Sequence, residues 1–110
     1  MFTFKAGRPL NDAMLGTQID RLQRLAADLS SLAEGTLTIS DDAPILDNWI
    51  VTARPAKCFA GEVSGHPLLP GMGRPIITSD IWAVTDEMSC VRTLSRWYRL
   101  GRPLGTTQAS

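Results

Sequence analysis

The feature that most constrains this chain is one apolar stripe at helical spacing. Leu15, Ile19, Leu22, Ala26, Leu29 and Ala33 follow one another at alternating steps of four and three, which puts them on one side of an α-helix and on no face of a strand. Leu25 and Leu32 widen the stripe. The pattern predicts a long N-terminal amphipathic helix over residues 10–34, closed by Gly35, which is free to take the left-handed conformation that ends helices. Two signals compete for its start: Asn11 as cap with Asp12 in the first turn, or Thr17 with Asp20 at capping-box spacing. Gly16 favours the later start, or a kink. Asp20 and Arg24 stand four apart in the favourable order, worth a few tenths of a kcal/mol.

The same steps fit a heptad seam, so the helix could pair with a copy of itself. Fewer than three full heptads, with Ala at two of six seam positions, make a thin coiled coil. The stripe is therefore expected to pack on the rest of the domain.

Past residue 36 the chemistry changes. Every proline but Pro9 and most of the glycines lie there, and β-branched and aromatic residues come in short runs, which is strand and turn chemistry. Thr36 to Ile39, Asp47 to Ala53, Cys58 to Ser64 and Pro75 to Thr85 read as strands, with loops over 40–44 and a long turn from Gly65 to Arg74. Residues 86–100 read two ways. As a helix, Val91, Leu94 and Tyr98 share one face, Arg92, Arg96 and Arg99 gather opposite, and Gly101 and Pro103 supply the stop. As a strand, the polarity separates poorly unless a bulge intervenes.

A resemblance favours the strand. Gly61-Glu-Val-Ser-Gly-His-Pro67, then Gly73-Arg-Pro-Ile-Ile-Thr-Ser79, then Val91-Arg-Thr-Leu-Ser-Arg-Trp-Tyr-Arg-Leu-Gly101 resemble the pattern of small, chiefly alphaproteobacterial, domain-of-unknown-function proteins. The resemblance covers about half of the chain. It implies a small antiparallel sheet or barrel in which Val91 to Leu100 pairs as a hairpin with Ile76 to Val84, and it implies no activity or cofactor. The fold expected is α+β: the helix packed on an antiparallel sheet of about four strands, open or barrel-like, in a single domain over 1–110. The β-rich part spans about 45–101, and a flexible tail follows over 104–110.

With 110 residues the chain has the length of one domain. A hydrophobic share of 44% and a charged share of 20% exclude a disordered or collagen-like chain. Eleven basic and eleven acidic groups cancel, so overall charge does not drive the chain onto nucleic acid or an anionic membrane. No stretch reaches the roughly 18 apolar residues of a membrane span, and residues 1–5 lack the core of a signal peptide. A cytoplasmic location is expected. Cys58 and Cys90, far apart and without a CxxC, read as two small buried hydrophobes rather than a disulfide or a reactive thiol.

Candidate chemistry is sparse. Glu62, Ser64 and His66 would share a strand face, but same-face neighbours lie about 6.5–7 Å apart, too far for a nucleophile and its base. His66, the single histidine, is the best acid–base candidate, with Glu62 or Asp80 as its partner. Gly71-Met-Gly73 lacks the third glycine of a dinucleotide fingerprint, and Asp41, Asp42 and Asp47 lack calcium-loop spacing. No cofactor or metal site is legible.

Charge partition says more. Residues 1–47 carry net −3 and residues 48–110 net +3; after Glu87 there is no acid, while Arg92, Arg96, Arg99 and Arg102 interleave with Trp97 and Tyr98. Arginine beside aromatic rings suits protein contacts, and also phosphates and stacked bases. The sequence is best read as a non-enzymatic protein-interaction module, working through an unknown protein partner or as a homodimer. A nucleic-acid-binding accessory protein using the arginine-rich segment is the alternative, and a small enzyme centred on His66 the second.

Overall fold

The computed structural model describes residues 1–105. It contains eight elements: β1 (Phe2–Lys5), β2 (Arg8–Pro9), α1 (Leu15–Glu34), β3 (Ala60–Val63), β4 (Arg74–Ile77), β5 (Ile81–Thr85), β6 (Cys90–Thr93) and β7 (Trp97–Arg99). The fold is α+β. The chain divides into two compact units, Asp12–Arg54 and the combination of Met1–Asn11 with the chain from Pro55 onward.

In the unit that joins Met1–Asn11 to the chain from Pro55 onward, a five-stranded sheet runs in the order β2-β1-β5-β6-β7 and a two-stranded sheet pairs β3 with β4. The expected antiparallel sheet proves mixed, because β1 lies parallel to β5, with Phe2, Thr3 and Phe4 opposite Ala83, Val84 and Thr85. Among the described residues no barrel closes, since β2 and β7 end the order as edges. Residues 2–9, not anticipated as strands, form a hairpin whose two-residue loop, Ala6-Gly7, has φ of 51° and 74°. Both signs are positive, as the twist of a tight two-residue hairpin requires.

Residues 86–100 are strand and turn, not helix. β6 pairs antiparallel with β5 and with β7, which returns as a hairpin. The expected hairpin partner, Ile76 to Val84, splits: β4 pairs with β3, and only β5 pairs with β6. The single strand expected over 75–85 breaks at Thr78–Asp80, where the chain changes sheets. There the Thr78 hydroxyl accepts the Phe59 N–H at 2.9 Å and donates to the Ser79 carbonyl.

Two threonine hydroxyls close the turns of the meander. Thr85 Oγ1 accepts the N–H groups of Ser89 and Cys90 at 2.7 and 3.0 Å. Thr93 Oγ1 accepts those of Ser95 and Arg96 and donates to the Arg96 carbonyl at 3.1 Å. Both threonines are buried, and with Val84 and Val91 they form the buried centre of the sheet among the described residues. A buried hydroxyl persists here because it satisfies backbone groups that the turns would otherwise orphan.

In the other unit, α1 starts at Leu15, later than residue 10. Met14 occupies the cap position without a side-chain bond, so neither Asn11 nor Thr17 caps the helix. Gly35 ends it as anticipated, with φ 75° and its N–H donating to the Leu32 carbonyl. Asp20 and Arg24 are paired along the helix. The strands anticipated at 36–39 and 47–53 do not form. Asn48 takes a φ of 54°, which breaks an extended run near its start.

Candidate interaction surfaces

Three groups of side chains stand out, one set by the helical period and two by the alternation of the sheet strands. The first lies on α1. Its seam residues fall on one side as the steps of three and four require, but no residue of the helix is buried. The burial anticipated for the stripe is therefore not met: Leu25 and Leu29 are each 54% exposed, and Ile19, Leu22 and Leu32 are exposed with them. Following the helix, Ile45, Leu46, Trp49, Ile50 and Val51 are also exposed. Single exposed apolar residues are ordinary, whereas a run of this length on one helix face marks a surface made for contact.

The second group lies on the outer strands of the five-stranded sheet. Trp97 is directly opposite Arg92 in the β6–β7 register, and alternation puts Arg99 on the same face, two residues along. Phe4 joins them across the sheet: its ring meets that of Trp97 edge-on, centroids 5.7 Å apart. Trp97 is 54% exposed and Arg99 is exposed, while Phe4 and Arg92 are partly buried. Arg102 lies beyond the last strand and is exposed. Among the described residues, none of Arg92, Arg96, Arg99 and Arg102 is in an ion pair.

The third group sits on the opposite face. Tyr98 pairs with Val91, and its ring meets that of His66, centroids 6.2 Å apart and tilted by 40°. Arg96 is close enough to repel a proton from His66, and its Nε is buried with no hydrogen-bond partner among the described residues. Five of the six residues singled out around the arginine-rich segment are thus divided between faces: Arg92, Trp97 and Arg99 on one, Tyr98 and Arg96 with His66 on the other, while Arg102 lies beyond the last strand. The strand's alternation forces the split; a helix would have grouped the arginines.

The remaining candidates have local structural work. His66 Nδ1 accepts the Leu68 N–H at 3.0 Å, which leaves the proton of the neutral ring on Nε2. Ser64 Oγ accepts the Gly73 N–H at 2.9 Å, closing the neck of the long turn. Glu62 stands opposite Pro75 in the β3–β4 pair, and the Asp80 carbonyl accepts the Leu94 N–H at 2.9 Å. Cys58 is exposed rather than buried, Cys90 is partly buried, and both are free thiols. Of the tail foreseen over 104–110, residues 106–110 lie outside the described part; Leu104 and Gly105 form a turn. Among the described residues, no helix is long and apolar enough to cross a membrane.

A small α+β protein with an open helical stripe and an arginine–aromatic sheet face is what fold and surface define. The chain belongs to the family of unknown function DUF6634, which matches residues 10–110, a span that begins after β1 and β2. Neither a curated protein nor a solved structure matches it.

Proposed function

We propose that this chain is a non-enzymatic module that works by protein contact through the apolar face of α1. The observation that carries the reading is the open stripe itself. Its seam and both flanks are uncharged from Leu15 to Ala33, while Asp20, Arg21, Arg24, Asp28 and Glu34 occupy the outer side. Leaving such a surface in water forfeits roughly 25 cal/mol for every Å² that a partner would cover. Size fractionation of a native extract containing the full chain tests this. The unchanged chain should run in a larger species that a Leu22→Glu, Leu29→Glu variant loses. A wild-type chain at monomer size, or a variant that keeps the larger species, would remove the reading.

A second reading rests on the other face. Arg92, Trp97 and Arg99, side by side and free of carboxylates, suit a single-stranded polyanion: phosphates on the guanidinium groups and a base on the indole. Two to four cations give only a modest, salt-sensitive affinity.

A further inference from the structure

The two edges of the five-stranded sheet differ in what their main chain offers. At β2 the Leu10 N–H donates to the Thr3 carbonyl at 3.0 Å, and Phe4 stands opposite Pro9. Bonded and non-bonded pairs alternate along an antiparallel ladder, so Pro9 is the residue of β2 whose main chain points outward. It has no N–H to give, and proline at such a place blocks a further strand.

β7 has no such stop. The Thr93 N–H donates to the Arg96 carbonyl at 2.9 Å and the Leu100 N–H to the Ser89 carbonyl at 2.8 Å. With Val91 opposite Tyr98, the same alternation gives Tyr98 the bonds to β6 and turns the N–H and C=O groups of Trp97 and Arg99 to the open side. No strand pairs with that side among the described residues, and both side chains are exposed. We propose that the β7 edge takes an extended acidic peptide of a partner protein as a sixth strand. Donors and acceptors in alternation fit the main chain of a peptide, whereas a phosphodiester chain brings acceptors alone and leaves both carbonyls unmet.

Charge decides what kind of peptide fits. Arg92 and Arg99 stand on one face beside the edge, Arg96 on the other and Arg102 just past its end, and no acidic residue follows Glu87. None of these arginines is in an ion pair among the described residues. Pairing with β7 of a second copy would set the arginines of both chains against one another, and like charges across a ladder destabilise it. A partner strand with a carboxylate beside Arg99 and an apolar side chain beside Trp97 meets both neighbours favourably. Nothing in this assignment depends on α1.

The experiment uses the full chain, labelled with nitrogen-15, and a capped octapeptide of alternating valine and glutamate. Binding should saturate, and at saturation amide exchange at Trp97 and Arg99 should slow about tenfold or more, with a smaller change at Tyr98, which is already bonded to β6. Arg99→Gln keeps the outward N–H and should weaken binding about two- to fivefold, as loss of an exposed ion pair does. Arg99→Pro removes that N–H as well, leaves the bonds to β6 in place and should weaken binding further; if it does not fold, exchange in the unaltered chain decides. No binding at millimolar peptide overturns the proposal, as does equal binding of the valine–lysine analogue. Binding that leaves both amides exchanging as before also overturns it, because the contact is then charge without a strand. Oligothymidine slowing the two amides where the peptide does not would assign the edge to a nucleic acid instead. Each of these failures leaves the α1 reading untouched.

Discussion

The rings of His66 and Tyr98 lie 6.2 Å apart, centroid to centroid, although 32 residues of sequence separate them. This contact seats the glycine-rich turn after β3 on the face of β7 opposite Trp97. It also gives the single histidine of the chain a defined setting, between an aromatic ring and the Arg96 guanidinium.

That setting lowers the His66 pKa below its ordinary 6.5, first through desolvation of the partly buried ring and second through the charge of Arg96. The folded ring therefore binds its proton more weakly than the unfolded chain does. Between the folded value and 6.5 the unfolded state holds more protons, so stability rises with pH across that window and is lost as pH falls through it; above 6.5 the contribution is constant. NMR titration of the single imidazole should give a midpoint below 6.5, and Arg96→Gln should move it part of the way back. A midpoint unmoved by that substitution would remove Arg96 from the account.

Thr93 is 1% exposed and its hydroxyl serves three backbone groups of the β6–β7 turn. Thr93→Val keeps the shape and strands those groups, with an expected loss of about 1–3 kcal/mol in urea unfolding. Thr93→Ser retains the hydroxyl and should cost less. Equal losses would show that the methyl group, not the hydrogen bonds, matters.

Ala6 holds a φ of 51° in the β1–β2 loop, where its Cβ crowds the following carbonyl. Replacing it by glycine removes that strain, and Ala6→Gly should raise the thermal midpoint, with a gain of up to about 1 kcal/mol. A lower midpoint would mean that the entropy of the unfolded glycine outweighs the strain relieved.

If the Arg92–Trp97–Arg99 face binds single strands, Arg92→Ala with Arg99→Ala should weaken binding of an oligonucleotide. It should also flatten the dependence of log affinity on log salt by about 1.4, from a slope of roughly 0.7 per phosphate contact. Trp97→Ala should cost about 1–3 kcal/mol by loss of stacking. Arg96→Ala, on the other face, should change neither; fluorescence anisotropy at several salt concentrations measures all three. Equal effects from Arg96 and Arg92 would argue for diffuse charge rather than this face.

The helix was legible because its signal is local: a period of 3.6 over twenty residues, and a glycine at the end that only needs its own φ. Strand existence at 60–63 and 90–99 was legible from composition and resemblance, and the long turn from its glycines. The hairpin over residues 2–9 was not read, though Phe2-Thr-Phe with Ala6-Gly7 carried a faint alternation and turn signal. The strands expected at 36–39 and 47–53 failed for the converse reason: β-forming residues make a strand only where another strand supplies the ladder.

The site residues divide in the same way. Sequence alone determined which residues carry charge and aromatic surface, which side of α1 is apolar, and where that helix stops, because each depends on neighbours within a turn or two. Only the tertiary structure decided that Arg92, Trp97 and Arg99 share a face with Phe4, and that His66 meets Tyr98. It likewise decided that β1 lies parallel to β5 and that the α1 stripe is exposed. Strand register and burial are set by partners distant in sequence, and a one-residue change in pairing exchanges the two faces of a strand.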